Sequence, residues 1–219
     1  MDTDRDTTAS GGYARTDTHT GGGNGGDAGT AGHTAPGGDA RTGERDIRIG
    51  PLTGDRVRAE AGGALSALLR DAVHHGASVG FLAPLEAAEA AAWWRRAAAE
   101  ADTGARTIWA ARGADGELLG VVSLVRAAPS NQRHRGDVSK LLVHTSARGR
   151  GVGRRLLAAV EAGAAEAGLT LLVLDTETGS PAEGLYRSAG WTRAGTVPGY
   201  ATDPAGVPRA TAYYYKALD

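Results

Sequence analysis

The sequence predicts an α/β (α+β) domain in which a mixed sheet of six to seven strands carries helices on both faces. Three observations lead there. Val138 to Val143 is an apolar segment that runs into a glycine-rich turn, and Val152, Leu156, Val160 and Ala164 then recur every four residues as on a helix. Leu169 to Leu174 is a near-continuous apolar run of the kind found in strands buried on both faces by parallel pairing. Strand, helix and strand in that order form one parallel βαβ unit with a right-handed crossover.

The other elements follow from local pattern. Asp46 to Ile49 alternates polar and apolar and reads as a short strand. Leu65, Leu68, Leu69, Ala72 and Val73 trace one helix face, with Gly76 as a stop. His74 and His75 fall in its last turn. A second helix is expected from Pro84, with Glu86 and Glu89 early, through Trp93 and Trp94 to about Ala101. The tryptophans suit a core or a groove wall. Two strands, 107–112 and 117–125, flank a hairpin signal at Ala114 to Gly116. A polar loop over 129–136 leads into the strand 137–143. After the long helix, which ends near Gly168, a short helix is expected from Pro181 to Ala189. Closing strands are expected over 191–197 and 211–217, the second with Tyr213, Tyr214 and Tyr215 alternating between core and outer face.

Composition limits the function. The formal net charge of −1 gives no global pull toward nucleic acid or membrane. No apolar run approaches a membrane span, and the first twenty residues lack a signal-peptide core. The absence of cysteine excludes disulfides, thiol nucleophiles and cysteine-based zinc sites, and fits a reducing, cytoplasmic setting. No metal site is expected. Residues 1–45 hold no Leu, Ile or Val, so they are expected to form a disordered tail ahead of a domain over 46–219. His19 and His33 in that tail have no ligand spacing.

The turn between the apolar segment and the long helix carries the chemistry. Gly149, Gly151 and Gly153 alternate with Arg150 and Val152, and Arg148, Arg154 and Arg155 flank them. Glycines at a helix start let a ligand approach backbone N–H groups, the helix dipole favours anions there, and arginine adds forked donors. This pattern points to a phosphate site, and its length suits a pyrophosphate.

These residues resemble the GCN5-related N-acetyltransferase (GNAT) superfamily. The run Arg148 to Gly153 matches its Gln/Arg-x-x-Gly-x-Gly/Ala phosphate loop, and Tyr186 four residues before Gly190-Trp191 matches a second signature. A narrower likeness to tabtoxin-resistance acetyltransferases rests on residues 134–143, 174–180 and 198–200. The resemblance implies the GNAT fold, acetyl-CoA as donor and a primary amine as acceptor. It implies a pyrophosphate on Arg148, Gly149, Arg150, Gly151, Val152, Gly153 and Arg154, and pantetheine paired with backbone at Leu141, Leu142 and Val143. Many members carry Asn where this chain has Gly179, and Ser180 is then the substitute for that pantetheine contact. A homodimer is one form of assembly known in the superfamily.

Amine acetylation needs a base for the ammonium, a polarised thioester carbonyl and an acid for the departing thiolate. The candidate bases are Asp137, which opens the central strand, and Asp175, at the carboxyl end of the other parallel strand. Asp137 otherwise serves as an ion partner of Arg135 or Lys140, and Asp175 as a turn or cap residue. Tyr186 is the candidate acid, with packing under the cofactor as the alternative. Backbone N–H near Leu142 would polarise the carbonyl. With no cysteine to hold an acyl group, direct transfer in a ternary complex is expected. His134 is assigned a structural role, and Arg133 and Arg135 are candidates to meet an acceptor carboxylate.

The expected function is thus N-acetylation of a small-molecule amine, an amino-acid-like toxin or antibiotic such as tabtoxinine-β-lactam being one example. The alternatives are a protein or peptide amine as acceptor, or a non-catalytic acyl-CoA-binding regulator. A rival reading is a dinucleotide-binding oxidoreductase, with Asp175 about twenty residues after the glycines. Against it count the arginines that crowd the glycines, the residues His144 to Arg148 between them and the strand, and too little following chain for a doubly wound sheet. Binding of NAD but not coenzyme A would favour it.

Overall fold

A computed structural model describes residues 47–218, which fall within one unit, Asp39–Asp219. The expectation of a tail over 1–45, and Asp46 of the first strand, lie outside the described residues. Seven strands form the sheet: β1 (Arg48–Leu52), β2 (Arg106–Arg112), β3 (Leu118–Arg126), β4 (Arg135–Val143), β5 (Leu171–Glu177), β6 (Thr192–Thr202) and β7 (Pro208–Ala217). Their order is β1-β2-β3-β4-β5-β7-β6. The pair β4–β5 is parallel and every other neighbouring pair is antiparallel. The helices are α1 (Gly54–Glu60), α2 (Ala64–His74), α3 (Ala87–Asp102), α4 (Val152–Glu166) and α5 (Pro181–Ser188).

Three local differences from the sequence reading have physical causes. Helix α1 has no apolar period to reveal it. It is held by the Thr53 side chain capping Arg56 N–H at 3.2 Å, by buried Val57, and by Arg58 paired with Asp102 at 2.5 Å. Helix α3 begins at Ala87 rather than Pro84, because Glu86 is its N-cap and is still extended at ψ 146°. The closing strands outrun their apolar cores because the Asp203 carboxylate accepts N–H bonds from Ala205 and Val207, each at 3.0 Å, and so closes a tight hairpin.

The sheet separates two cores. On one face Leu156, Leu157 and Val160 of α4 meet Leu124, Val138, Leu172, Leu174 and Tyr214. On the other, Leu65, Leu68 and Leu69 of α2 and Trp94 of α3 meet Ile108, Ala110, Val121 and Leu142. Trp94 is fully buried, and its Nε1–H donates to the Leu65 carbonyl at 2.9 Å. Tyr214 is core while Tyr215 is 39% exposed, so the expected alternation of the tyrosines is present. On this second face α2 and α3 pack on β2, β3 and β4. Beyond them, Asp175 on β5 is exposed.

Candidate active site

The parallel ladder is short. It pairs Arg135 with Leu171, Gly136 with Leu172 and Asp137 with Val173, and then stops. Beyond that point β4 continues to Val143 on its β3 partner, while β5 continues to Glu177 on β7. The two strands therefore part, and Asp137 sits at the vertex of the gap. Leu141 to Val143 form one wall, and the helix α4 opens just past its end.

At that opening, Gly149 and Gly151 both take left-handed angles, φ 75° and 74°, with Gly151 as the N-cap of α4. A side chain there would be strained, and glycine is not. The N–H groups of Gly149, Gly151, Val152 and Gly153 find no protein acceptor among the described residues. A helix start leaves such donors for a ligand. Gly153 packs tightly, since an added Cβ would lie 3.2 Å from Leu185 Cδ2. Arg148 is exposed, and Arg154 donates to Ser188 Oγ at 2.7 Å, tying α4 to α5. This donor set, four free amides with arginines beside them, fits a pyrophosphate.

The loop is also anchored from α2. Thr145 N–H and hydroxyl each donate to the Asp71 carboxylate at 2.9 Å. Burial alone would raise the Asp71 carboxyl, but the two Thr145 bonds, with His144 and His75 beside it, outweigh this and hold it below the ordinary range.

Asp137 and Asp175 share a face of the sheet at the gap, and Tyr186, in the α4-side core, lies within reach of the charge of Asp175. Asp137 and Val173 share a register position, so Asp175, two residues on, shares their face, and Tyr213 lies opposite Asp175 on β7. Asp137 is 43% exposed and lies 3.3 Å from Arg135. Its carboxyl is raised by burial first; Arg135 opposes this and Asp175 adds to it. The charge of Asp175 also acts on Lys140, Tyr186 and Tyr213, which marks these residues as one electrostatic cluster.

Tyr186 lies on α5 with its ring in the α4-side core, 5.9 Å from Trp191 and 6.3 Å from Tyr214. Burial first, and Asp175 second, push its hydroxyl well above the usual value, so it stays protonated. That hydroxyl has no hydrogen bond among the described residues, yet no fully buried polar side-chain atom lacks a partner. The ring is thus buried and the hydroxyl opens onto accessible space, as a proton donor requires.

Ser180 caps α5 by accepting from Glu183 N–H at 3.3 Å, and lies 3.2 Å from Thr176 Oγ1. A hydroxyl that accepts can still donate. Sequence reasoning missed Glu183. It is buried, accepts from Gly179 N–H at 2.6 Å and from the Tyr214 hydroxyl at 2.8 Å, and so holds the start of α5. It also missed the bulge in β4, where Lys140 and Leu141 together oppose Val122 and Lys140 takes φ 52°. A lysine at a left-handed angle leaves no signal in a single sequence. Arg135, expected at an acceptor carboxylate, donates to Gln132 at 2.8 Å as well as facing Asp137.

Comparison with known proteins agrees with this geometry. The model of the acetyltransferase (GNAT) family matches residues 70–191, more than half of the 219-residue chain. A GCN5-related N-acetyltransferase from Kribbella flavida superposes with a TM-score of 0.65 at 23% identity, over 80% of this chain and 99% of that one. A Salmonella typhimurium protein assigned as an acetyltransferase, solved with its cofactor acetyl-CoA, gives 0.64 at 20%, over 80% and 95%. A ribosomal-protein-alanine N-acetyltransferase from Brucella melitensis gives 0.62 at 24%, over 78% and 99%. With a parallel pair that parts above a glycine-rich helix start, and a family match across that whole region, the chain belongs to the acetyltransferase (GNAT) family.

Proposed function

We propose that the protein transfers an acetyl group from acetyl-CoA to the primary amine of a small molecule, directly, in a ternary complex. The observation that carries this is the gap between β4 and β5, which has free amides at its wide end and Asp137, Asp175 and Tyr186 at its throat. A protein of the same fold was solved with acetyl-CoA, which supports that donor. The pyrophosphate lies on the amides of Gly149 to Gly153, with Arg148, Arg150 and Arg154 as flanking charge. Leu141 to Val143 supply backbone for the pantetheine, and Ser180 donates one further bond.

An alkyl ammonium has a pKa near 10.4, so only roughly one molecule in a few thousand is free amine at pH 7. Asp137 or Asp175 takes that proton. The Asp137 carboxyl is raised by burial first and, against Arg135, by the charge of Asp175, which makes it a better proton acceptor than an ordinary carboxylate. Backbone N–H at the bulged part of β4 polarises the thioester carbonyl. Tyr186 donates a proton to the departing thiolate. Tyr186→Phe therefore lowers kcat by about 10²-fold or more while the Kd for acetyl-CoA changes by less than about threefold. Turnover monitored by thiol release, beside calorimetry, checks this. Wild-type turnover in the variant removes the acid role.

A further inference from the structure

Lys140 is held in a way that the transfer chemistry does not explain. Side chains along a strand alternate between faces, so Lys140 should point into the α4-side core with Val138. The bulge interrupts that alternation. Val138, Leu141 and Val143 pack on the α4 side, whereas Lys140 turns to the same face as Asp137 and Leu142. There its Nζ lies 5.1 Å from the Trp93 ring centre and 5.8 Å from that of Phe81. Arg106 stands 5.4 Å from the same Trp93 ring, but it is already committed to Glu100 at 2.6 Å and to Ser123 at 2.9 Å. Lys140 has no carboxylate within 4 Å and no hydrogen bond among the described residues. Because no fully buried side-chain polar atom among the described residues lacks a partner, its ammonium opens onto accessible space. The chain holds it in a left-handed backbone conformation that disfavours lysine, and such strain concentrates at working sites.

This face of β4 is flanked by the segment before α3, which places Phe81 beside Lys140, and that segment is joined to the β6–β7 hairpin by Ala83 N–H donating to the Pro204 carbonyl at 2.8 Å. Along this face one end is negative, at Asp137 and at Asp175 on β5, and the other is positive, at Lys140. We infer that Lys140 selects acceptors that carry an oxyanion, such as a carboxylate, besides the amine, so that the substrate is a zwitterion lying across β4. This deepens the acceptor assignment above and rests on it. A polyamine is disfavoured, because its second ammonium would face Lys140.

The test uses the full chain, first titrated calorimetrically with acetyl-CoA, then assayed by thiol release on matched acceptors: L-lysine with cadaverine, L-tyrosine with tyramine, and β-alanine with ethylamine. Here 2-aminoethylphosphonate distinguishes a phosphonate from a carboxylate. At least one acid is expected to exceed its anion-free partner at least tenfold in kcat/KM. Lys140→Met lowers that ratio at least tenfold, mainly through KM, and Lys140→Arg restores part of it. Lys140→Gly suits the left-handed backbone, so it keeps the fold while showing the same loss. A merely structural lysine would lower both members of a pair alike. If acetyl-CoA binds but the ratio is near one, is unchanged in Lys140→Met, or no acid is acetylated, the inference is overturned and the donor assignment stands. If acetyl-CoA does not bind, both fall.

Discussion

Gly151 concentrates the proposed phosphate site into one backbone angle. At φ 74° a β-branched side chain is a steric outlier, costing about 1–2 kcal/mol, and its methyls would sit where the ligand must approach. Gly151→Val should therefore lose at least tenfold in coenzyme A affinity by calorimetry, with a smaller loss of melting temperature. Gly179 makes the complementary point. It is also left-handed, at φ 81°, and an added Cβ meets nothing within 4 Å. Asparagine is the side chain that best tolerates such an angle. The departure from the superfamily's Asn is thus a swap between the two residues the backbone allows. Gly179→Asn is expected to change stability by less than about 1 kcal/mol and to bind acetyl-CoA at least as tightly, and a loss of either by more would contradict this reading. The glycine turn at the start of α4 was legible in the sequence because it lies in consecutive residues. Asp71, Glu183 and Lys140 were not, because their roles depend on partners far along the chain. Thr145 is 74 positions from Asp71, and Tyr214 is 31 from Glu183.

Helix α5 shows how an element positions Tyr186, the proposed acid. Eight residues are too few to be stable alone, so its placement depends on tertiary bonds. Ser180 caps it, Glu183 fastens its first turn to Gly179 and to β7, and Arg154 fastens its last turn to α4. Tyr186 inherits its position from all three. The Gly179 N–H, followed by the Tyr214 hydroxyl, holds the Glu183 carboxyl below its ordinary value. A carboxyl depressed in the folded state stabilises above its unfolded pKa, near 4.3, and loses that contribution as pH falls through the folded value. Glu183→Gln should cost about 1–2 kcal/mol at pH 7, and the gap to wild type should close as pH drops below about 4. Thermal melts of both chains across that range check the sign. A gap that widens toward acid would contradict it. Elements were legible in proportion to their apolar period. The long helix α4 shows it at Val152, Leu156, Val160 and Ala164, whereas α1 buries little besides Val57 and was missed.

At the scale of the molecule, the gap between β4 and β5 is an unpaired seam in an otherwise continuous sheet. The remaining ladders, β1 to β4 and β5 with β7 and β6, meet only at three register pairs. A ligand that spans the seam should therefore stabilise the domain as a whole. At a hundred times its Kd a ligand adds about 2.7 kcal/mol, which for a domain of this size is roughly 5–10 °C in melting temperature. Acetyl-CoA is expected to produce such a shift, and its absence at saturating concentration would contradict a site across the seam. The parallel pair was legible from the apolar run Leu169 to Leu174. Where the pairing ends was not, because no residue type marks the position at which two strands separate.

The central claim is that the amides at the start of α4 hold the diphosphate of coenzyme A. Calorimetric titration of the full chain with coenzyme A, beside pantetheine, which lacks the diphosphate, tests it most directly. The account predicts saturable one-site binding of coenzyme A, and binding of pantetheine at least a hundredfold weaker. Equal affinity for the two, or no saturable heat with coenzyme A, would contradict it.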